Sequence, residues 1–216
     1  MKIAIIGSQN VGKSTLIEEF LKKWPMYKRP QKTYRDIIKE KGLTLNKNAT
    51  KETQKIILEA LVDEVQQACV DGEDFLIFDR CVIDNMAYTL WHYAKGTEGF
   101  SEEFIIDCKT LAAIALKYFD VVFYLPIHPD IPVKAKDDNT RDIDLVYREE
   151  IDNIFRALIQ SYERNTKAFF PTEDCPAIIT LEGPPDLRIP QIQLYVKENG
   201  KCYGEDTPSL IDPDAA

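Results

Sequence analysis

The chain opens with an apolar run, Ile3–Ile6, followed by Gly7-Ser8-Gln9-Asn10-Val11-Gly12-Lys13-Ser14-Thr15. This stretch fits the pattern G-x-x-x-x-G-K-[ST] of the phosphate-binding P-loop, and it stands between a predicted strand and a predicted helix, as that motif requires. The glycines permit a backbone in which successive N–H groups point at phosphate oxygens, and the N-terminus of the next helix favours the same anion. We therefore predict that Gly7–Thr15 cradles the phosphates of a nucleoside triphosphate.

Two side chains of this loop are predicted to take part in the chemistry. Lys13 supplies a mobile positive charge for the outer phosphates, and the Ser14 hydroxyl is placed to ligate Mg²⁺. We expect ATP and Mg²⁺ as the cofactors. The predicted nucleotide-binding residues are Gly7, Ser8, Gln9, Asn10, Val11, Gly12, Lys13, Ser14 and Thr15.

The overall composition is that of an ordinary globular domain. Hydrophobic residues make up 44% and charged residues 29% of the 216 positions, which is enough for one α/β domain with a full core. No apolar run is long enough to cross a membrane, so we expect no membrane partner and a cytoplasmic location, in the host cytoplasm if the protein is viral. Five widely spaced cysteines without a C-x-x-C pair favour reduced thiols. The net charge of −9 argues against a generally basic surface for nucleic acid, although a local basic groove is compatible with it.

The rest of the chain alternates apolar strand patterns with helical ones. A run that is apolar at every position suits a strand buried on both faces of a parallel sheet. Together with the opening strand, the runs predict an α/β fold in three layers, a parallel sheet with helices on both faces. The later predicted strands are Phe75–Asp79, Asp120–Pro126 and Ala177–Leu181, and the later helices span about 50–70, 81–95, 101–118, 145–162 and 186–198.

We predict that residues 1–203 form a single domain. Within it, residues of about 127–144 are proline-rich and then charged, and the segment is long for a plain connection, which favours a lid. Residues 204–216 are acidic and are predicted to be a flexible tail. The basic segment 24–48 is a candidate for the acceptor side, with a solvated surface helix and loop as the alternative.

The predicted strand Phe75–Asp79 ends in an acid that is followed by a base, Arg80. Doubly wound sheets bind their ligands at the carboxyl ends of the strands. In P-loop enzymes a hydrophobic strand ending in Asp holds Mg²⁺ directly or through water. We therefore predict that Asp79 and Ser14 organise Mg²⁺ at the sheet edge that carries the P-loop.

The segment Asp79-Arg80-Cys81-Val82-Ile83-Asp84-Asn85-Met86-Ala87-Tyr88 resembles the D-R-x-x-x-D/S-x-x-A-Y segment of the thymidylate-kinase-like family, with a likeness that runs to about residue 203. The resemblance implies a P-loop kinase fold and an Arg80 that holds the acceptor through its phosphate or sugar. The stretch 141–148 and the turn Gly183-Pro184-Pro185 resemble bacteriophage members, one branch of which phosphorylates 5-hydroxymethyluracil in viral DNA. Cys81 stands where thymidylate kinases commonly carry an aromatic residue, which argues against a strict dTMP assignment.

A kinase positions its substrates and neutralises charge on the transferred group, and this requirement suggests roles for further residues at the sheet edge. Arg141 would close from the lid over the γ-phosphate as an internal arginine finger, and Asp84 would orient an acceptor hydroxyl. Gly183 and Pro184 would border the adenine. Two alternatives remain open: Arg80 forms a structural ion pair with Asp79 or Asp84, and Arg141 belongs to a solvated ion-pair loop.

The leading hypothesis is an ATP-dependent kinase that acts on a nucleotide-type acceptor, and the predicted acceptor is the 5-hydroxymethyl group of 5-hydroxymethyldeoxyuridine in phage DNA. A free nucleoside or nucleoside monophosphate, thymidylate-like or nicotinamide riboside-like, is the nearest alternative. The acidic net charge favours a small acceptor, whereas the basic stretch 28–47 and the resemblance favour DNA. A partner-regulated NTPase is the alternative from another class. The sequence leaves the oligomeric state open, with a homodimer as one candidate.

Overall fold

The computed structural model describes residues 1–31, 33–128, 144–164 and 168–203. Within these residues, four short parallel strands form one sheet in the order β2-β1-β3-β4. Ile5 of β1 lies opposite Asp79 of β2 on one side and opposite Phe123 of β3 on the other. The strands are β1 (Lys2–Ile6), β2 (Leu76–Asp79), β3 (Val121–Tyr124) and β4 (Ala177–Thr180).

Helices fill the connections between the strands, as parallel pairing requires. Several begin at residues whose side chains accept the first free N–H groups: Thr50 from Thr53, Ser101 from Phe104, and Asp144 from Tyr147. The helices are α1 (Lys13–Lys23), α2 (Tyr34–Lys41), α3 (Lys51–Val70), α4 (Val82–Ala94), α5 (Glu102–Leu116), α6 (Leu145–Glu163) and α7 (Arg188–Ile192).

The two faces of the sheet carry separate apolar cores. Ala4 and Ile6 of β1 pack into the core that α3, α4, α5 and α6 cover. Ile3 and Ile5, which point the other way in the alternating strand, pack into the core beneath α1 and α7. The predicted parallel sheet with helices on both faces is therefore confirmed.

Two helix predictions need correction. The predicted closing helix 186–198 is a 3₁₀ turn, Pro185–Leu187, followed by the single short helix α7. The backbone beyond α7 instead bonds to side chains of the core beneath α1 and α7, where Trp24 Nε1 donates to the Lys197 carbonyl at 2.9 Å and the Tyr27 hydroxyl donates to the Gly200 carbonyl at 2.6 Å. Those tertiary hydrogen bonds override a weak helical pattern.

The second correction concerns the buried stripe of α5, which helical spacing predicts to consist of Phe104, Cys108, Leu111, Ala115 and Tyr118. Cys108 and Ala115 are buried as expected, but Tyr118 is 36% exposed and lies beyond the end of the helix. α5 packs against both α3 and α4. Its buried face is therefore wider than a single stripe of residues. The buried residues of α5 are Ile105, Cys108, Ala112, Ala115 and Leu116.

The basic segment 24–48 contains α2 and a 3₁₀ turn, Asn46–Asn48. Nearly all of the predicted lid and the whole of the predicted acidic tail lie outside the described residues. Among the helices that the structure describes, none is both long and apolar enough to cross a bilayer.

Candidate functional site

The loop between β1 and α1 curls around the ammonium group of Lys13. The Nζ of Lys13 donates hydrogen bonds to the carbonyl oxygens of Gly7 and Ser8, each at 2.6 Å. The backbone takes positive φ angles at Gly7 (141°), Asn10 (58°) and Gly12 (90°). α1 begins at Lys13 without a side-chain cap, so no capping side chain occupies its first N–H groups. This arrangement has the geometry of an anion-binding concavity.

Some of the other loop residues are buried beneath the loop, and others are partly or fully exposed to solvent. Val11 is buried in the core beneath the loop, and the side chain of Ser8 is also buried. Ser14, the predicted metal ligand, is half-buried in the first turn of α1, and Thr15 is exposed. Gln9 and Asn10 present their carbonyl oxygens to α6, as described below.

β2 places Asp79 and Arg80 beside the P-loop. Ile5 and Asp79 are in register, and the Arg80 N–H donates to the Ile5 carbonyl at 3.0 Å. The prediction that the acid–base pair and the P-loop share one sheet edge is therefore confirmed. Arg80 has a φ of 91°, a strained conformation for a residue with a side chain.

Asp79 has two differently placed carboxylate oxygens. Oδ2 accepts a hydrogen bond from Arg35 Nη2 of α2 at 2.7 Å. Oδ1 is buried and has no hydrogen-bond partner among the described residues. Mg²⁺ characteristically binds through one or two carboxylates, waters and substrate phosphates. The orphaned oxygen therefore fits a hydrated metal ion. The described residues contain no cluster of three or more His, Cys, Asp or Glu side chains placed to hold a metal.

Arg80 forms the structural ion pair that the sequence left open, and its partner is Asp84. Arg80 Nη1 lies 3.4 Å from Asp84 Oδ1. The second oxygen of Asp84 accepts the Cys81 N–H at 3.1 Å, which fixes the start of α4. Burial raises the pKa of Asp84 to about 6. The guanidinium also lies over the rings of Tyr88 and Tyr34, 5.6 and 5.9 Å from their centres.

Two tyrosine hydroxyls near Arg80 have no hydrogen-bond partner in the part of the chain that the structure describes. Within the described residues, the hydroxyls of Tyr88 and Tyr147 and the Nε of Arg80 are buried without a hydrogen bond. The two tyrosine rings lie 6.2 Å apart. A buried polar group without a partner costs roughly 1–3 kcal/mol, so a cluster of three marks a place where a ligand or water completes the bonding. Helical spacing over 145–162 predicts only that Tyr147 lies on the buried face with Ile151, and it gives no sign of this cluster.

On the other side of the P-loop, Gly183 and Pro184 lead through the 3₁₀ turn into α7, which packs against α1. Arg188, at the start of α7, is only 3% exposed. Its Nη1 comes so near Gly12 that a Cβ there would lie 2.9 Å away. The turn predicted to border the adenine therefore adjoins a helix that contacts the P-loop, and the adenine contact itself stays a prediction.

Arg148 of α6 binds the outer side of the P-loop, a contact that the sequence analysis did not assign. Its Nε donates to the Gln9 carbonyl at 2.9 Å and its Nη2 to the Asn10 carbonyl at 3.5 Å. The signal that could have found it is spacing, because Arg148 shares a helical face with the buried residues Ile151 and Phe155. Arg141, the predicted arginine finger, lies outside the described residues.

We expect Arg148→Ala to weaken ATP binding about tenfold. The two donated bonds hold the loop carbonyls in place, and a charge-assisted bond is worth about 1.5–3 kcal/mol, part of which water restores. Isothermal titration with ATP measures the change. Arg156→Ala removes an arginine from the same helix that pairs with Asp152 at 2.9 Å, and it should leave ATP affinity unchanged. Equal affinities for the Arg148 variant and the wild type would contradict this role.

The charge state of Lys13 depends on its surroundings. Burial lowers the pKa of Lys13 to about 7, and Arg80 lowers it as well, whereas Asp84 and Asp79 raise it. At pH 8 a large share of the unliganded chain therefore carries a neutral Lys13, although the side chain ordinarily stays charged far above that pH.

We therefore expect ATP binding at pH 8 to take up a proton. The negatively charged triphosphate favours the charged form of Lys13, so the pKa of Lys13 rises on binding. The neutral side chain therefore takes up a proton when ATP binds. Titration calorimetry at pH 8 in buffers of different ionisation enthalpy gives the number of protons, which should approach one, whereas the uptake at pH 5.5 should be near zero. A Lys13→Met protein should lose the pH 8 uptake, and a wild-type value of zero at both pH values would contradict the shift.

Comparison with known proteins adds a family and a fold. The family model AAA_28, described as an AAA domain, matches residues 2–169. No curated protein matches the chain. A deoxyadenosine kinase from M. mycoides, with the products dCMP and a flexible dCDP bound, is similar in structure, with a TM-score of 0.60, 22% identity, and coverage of 89% of this chain and 97% of that one.

Two further solved structures share the fold at lower identity. Thymidylate kinase from Candida albicans has a TM-score of 0.56 and 17% identity, and the match covers 88% of each chain. The NadR protein in complex with NR has a TM-score of 0.54 and 12% identity, with coverage of 87% of this chain and 45% of that one. At these identities the likeness establishes the fold alone. The family match spans most of the sequence and contains the P-loop, Asp79 and Arg80, so this chain belongs to the AAA_28 family of AAA domains.

Proposed function

We propose that this chain is an ATP-dependent kinase that transfers the γ-phosphate of ATP to a nucleotide-type acceptor. The observation that carries the proposal is the meeting of Lys13 with Asp79 and Arg80 at one sheet edge. A kinase needs positioned substrates and charge neutralisation more than covalent chemistry, and such an edge supplies both. The deoxyadenosine and thymidylate kinases of the same fold are consistent with this activity.

On the donor side, the P-loop N–H groups and Lys13 hold the β- and γ-phosphates. Ser14 and the orphaned oxygen of Asp79 would hold Mg²⁺, which neutralises phosphate charge when it is bound. Gly183 and Pro184 border the adenine. Arg141 approaches the γ-phosphate as an internal finger, in keeping with its place in the segment predicted to be a lid.

On the acceptor side, Arg80 is the principal binding group. Asp84 holds its guanidinium, and the hydroxyls of Tyr88 and Tyr147 offer hydrogen bonds to an aromatic or sugar group beside it. Asp84 has a second proposed role. A carboxylate with a pKa of about 6 is suited to orient an acceptor hydroxyl and to share its proton.

Two acceptor classes have distinct support. The resemblance to phage kinases and the basic segment 28–47 favour the 5-hydroxymethyl group of 5-hydroxymethyldeoxyuridine in phage DNA. Because the tyrosine hydroxyls and Arg80 Nε are buried, a base in a duplex would have to be flipped out of the stack to reach them. The same burial, together with the net charge of −9, favours a free nucleoside or nucleoside monophosphate. The NadR protein, which shares the fold, is in complex with NR, and this supports the inclusion of nicotinamide riboside in the second class.

The decisive experiment supplies γ-labelled ATP with three acceptors in parallel: duplex DNA containing 5-hydroxymethyldeoxyuridine, free nucleosides including nicotinamide riboside, and nucleoside monophosphates. Transfer to the DNA that weakens with rising salt would support a phosphate-contacting groove. Transfer only to small molecules would reject the DNA acceptor and keep the kinase. ATP hydrolysis that no acceptor alters would instead indicate an NTPase regulated by a protein partner.

A further inference from the structure

Arg35 forms an ion pair with Asp79, the residue whose carboxylate is proposed to hold the metal ion. Its Nη2 lies 2.7 Å from Asp79 Oδ2, while the side chain of Asp79 is 16% exposed and that of Arg35 is 44% exposed. Arg35 belongs to α2, the helix of the basic segment, and Asp79 belongs to β2, 44 positions later in the chain. The pair therefore links the predicted acceptor segment to the predicted metal site.

The start of α2 is held firmly next to this pair. Thr33 and Asp36 form a reciprocal cap, in which the Thr33 N–H donates to Asp36 Oδ2 at 2.8 Å. The ring of Tyr34 is buried, and its N–H donates to Glu64 Oε2 of α3 at 3.2 Å. The backbone at Arg35 is thus anchored, so release of Asp79 requires only rotation of one half-exposed side chain.

We propose that Arg35 is a positioning residue that competes with the metal ion for Asp79 and so makes metal binding depend on the position of an acceptor-side side chain. The inference rests on the proposed function of Asp79. A guanidinium that bonds Oδ2 and a hydrated divalent cation held at Oδ1 bring two cations to the same carboxylate, where the neighbouring Arg80 already adds positive charge. Binding of the metal therefore favours departure of Arg35.

The side chain of Arg35 lies beside the proposed acceptor site while it bonds Asp79. Its guanidinium lies 5.7 Å from the centre of the Tyr34 ring, and Arg80 lies 5.9 Å from the same centre on the acceptor side. A bound acceptor with an anionic group would draw Arg35 toward it and leave Asp79 to the metal. By linkage, metal and acceptor would each strengthen the binding of the other.

Direct metal binding tests this proposal without relying on catalysis. Mn²⁺ is titrated into the full chain, with and without AMP-PNP, and free Mn²⁺ is followed by electron paramagnetic resonance. Because a half-exposed ion pair is weak, we expect Arg35→Gln to tighten Mn²⁺ binding about two- to fivefold. Lys39→Gln removes one positive charge from an exposed site on the same helix, and it should bind Mn²⁺ like the wild type.

Two further variants separate the possible outcomes. Arg35→Met keeps the length of the side chain and should tighten binding as Arg35→Gln does, which guards against a local packing fault. Asp79→Asn should weaken Mn²⁺ binding in either state. If Asp79→Asn weakens binding but both Arg35 variants match Lys39→Gln, the competition is overturned while the metal role of Asp79 stands. If Asp79→Asn binds Mn²⁺ like the wild type, the proposed metal role of Asp79 fails, and the competition fails with it.

Discussion

Replacing Lys13 with alanine is expected to lower kcat/KM for phosphotransfer by roughly 10²–10³, the usual effect of removing one preorganised donor from a developing charge. The ammonium is held over the loop by the Gly7 and Ser8 carbonyls, at 2.6 Å from each, so it is in place before the nucleotide arrives. Water cannot replace it well, because the side chain is only 6% exposed. Steady-state kinetics with labelled ATP, and with whichever acceptor the three-acceptor experiment identifies, measures the change.

A matched control is available on the same helix. Lys22 is an exposed lysine near the far end of α1, and Lys22→Ala should leave kcat/KM unchanged. Thermal melting of both variants establishes that each is folded. A Lys13→Ala protein that keeps phosphotransfer within tenfold of the wild type would remove Lys13 from the centre of the proposed mechanism.

The parts of this site that follow from the sequence are those fixed by local pattern and strand topology. The spacing within Gly7–Thr15 defines the loop. The glycines permit the tight backbone turns, and the lysine follows them at the position from which its side chain reaches the phosphates. Asp79 and Arg80 could be placed beside it because parallel strands bring their carboxyl ends to one edge. Apolar runs located the four strands of the described sheet to within one or two residues of their observed ends.

The residues that sequence reasoning missed act through long-range contacts, and no sequence pattern identifies the partners in those contacts. Arg148 binds two backbone carbonyls, and a carbonyl oxygen is present at every residue, so the sequence carries no mark of the partner. Arg35 is one of several basic residues in segment 24–48, and only the fold reveals which of them reaches Asp79. By their spacing in the sequence, Tyr88 and Tyr147 are typical core aromatic residues. Only the fold shows that their hydroxyls are buried without a hydrogen-bond partner among the described residues.

We expect Gly7→Ala to abolish measurable ATP binding and to lower the free energy of unfolding by about 2–4 kcal/mol, in the range of strained or overpacked core sites. Gly7 has a φ of 141°, which side chains disfavour. A Cβ at this position would lie 2.4 Å from the Leu125 carbonyl oxygen and 3.2 Å from Val11 Cγ2. The first of these is backbone at the end of β3 and cannot rotate away, so the loop itself must move.

Gly96→Ala separates the strain of positive φ from the collision. Gly96 has a φ of 66°, and nothing lies within 4 Å of a Cβ built there, so the variant should lose only about 1–2 kcal/mol and bind ATP like the wild type. Chemical denaturation and titration calorimetry of the two proteins provide the comparison. If Gly7→Ala were as stable as Gly96→Ala and still bound ATP, the close approach of the loop to the end of β3 would not matter for the cradle. A loss confined to Gly7→Ala would show that the phosphate site depends on the close approach of Gly7, which follows β1, to the Leu125 carbonyl, which follows β3.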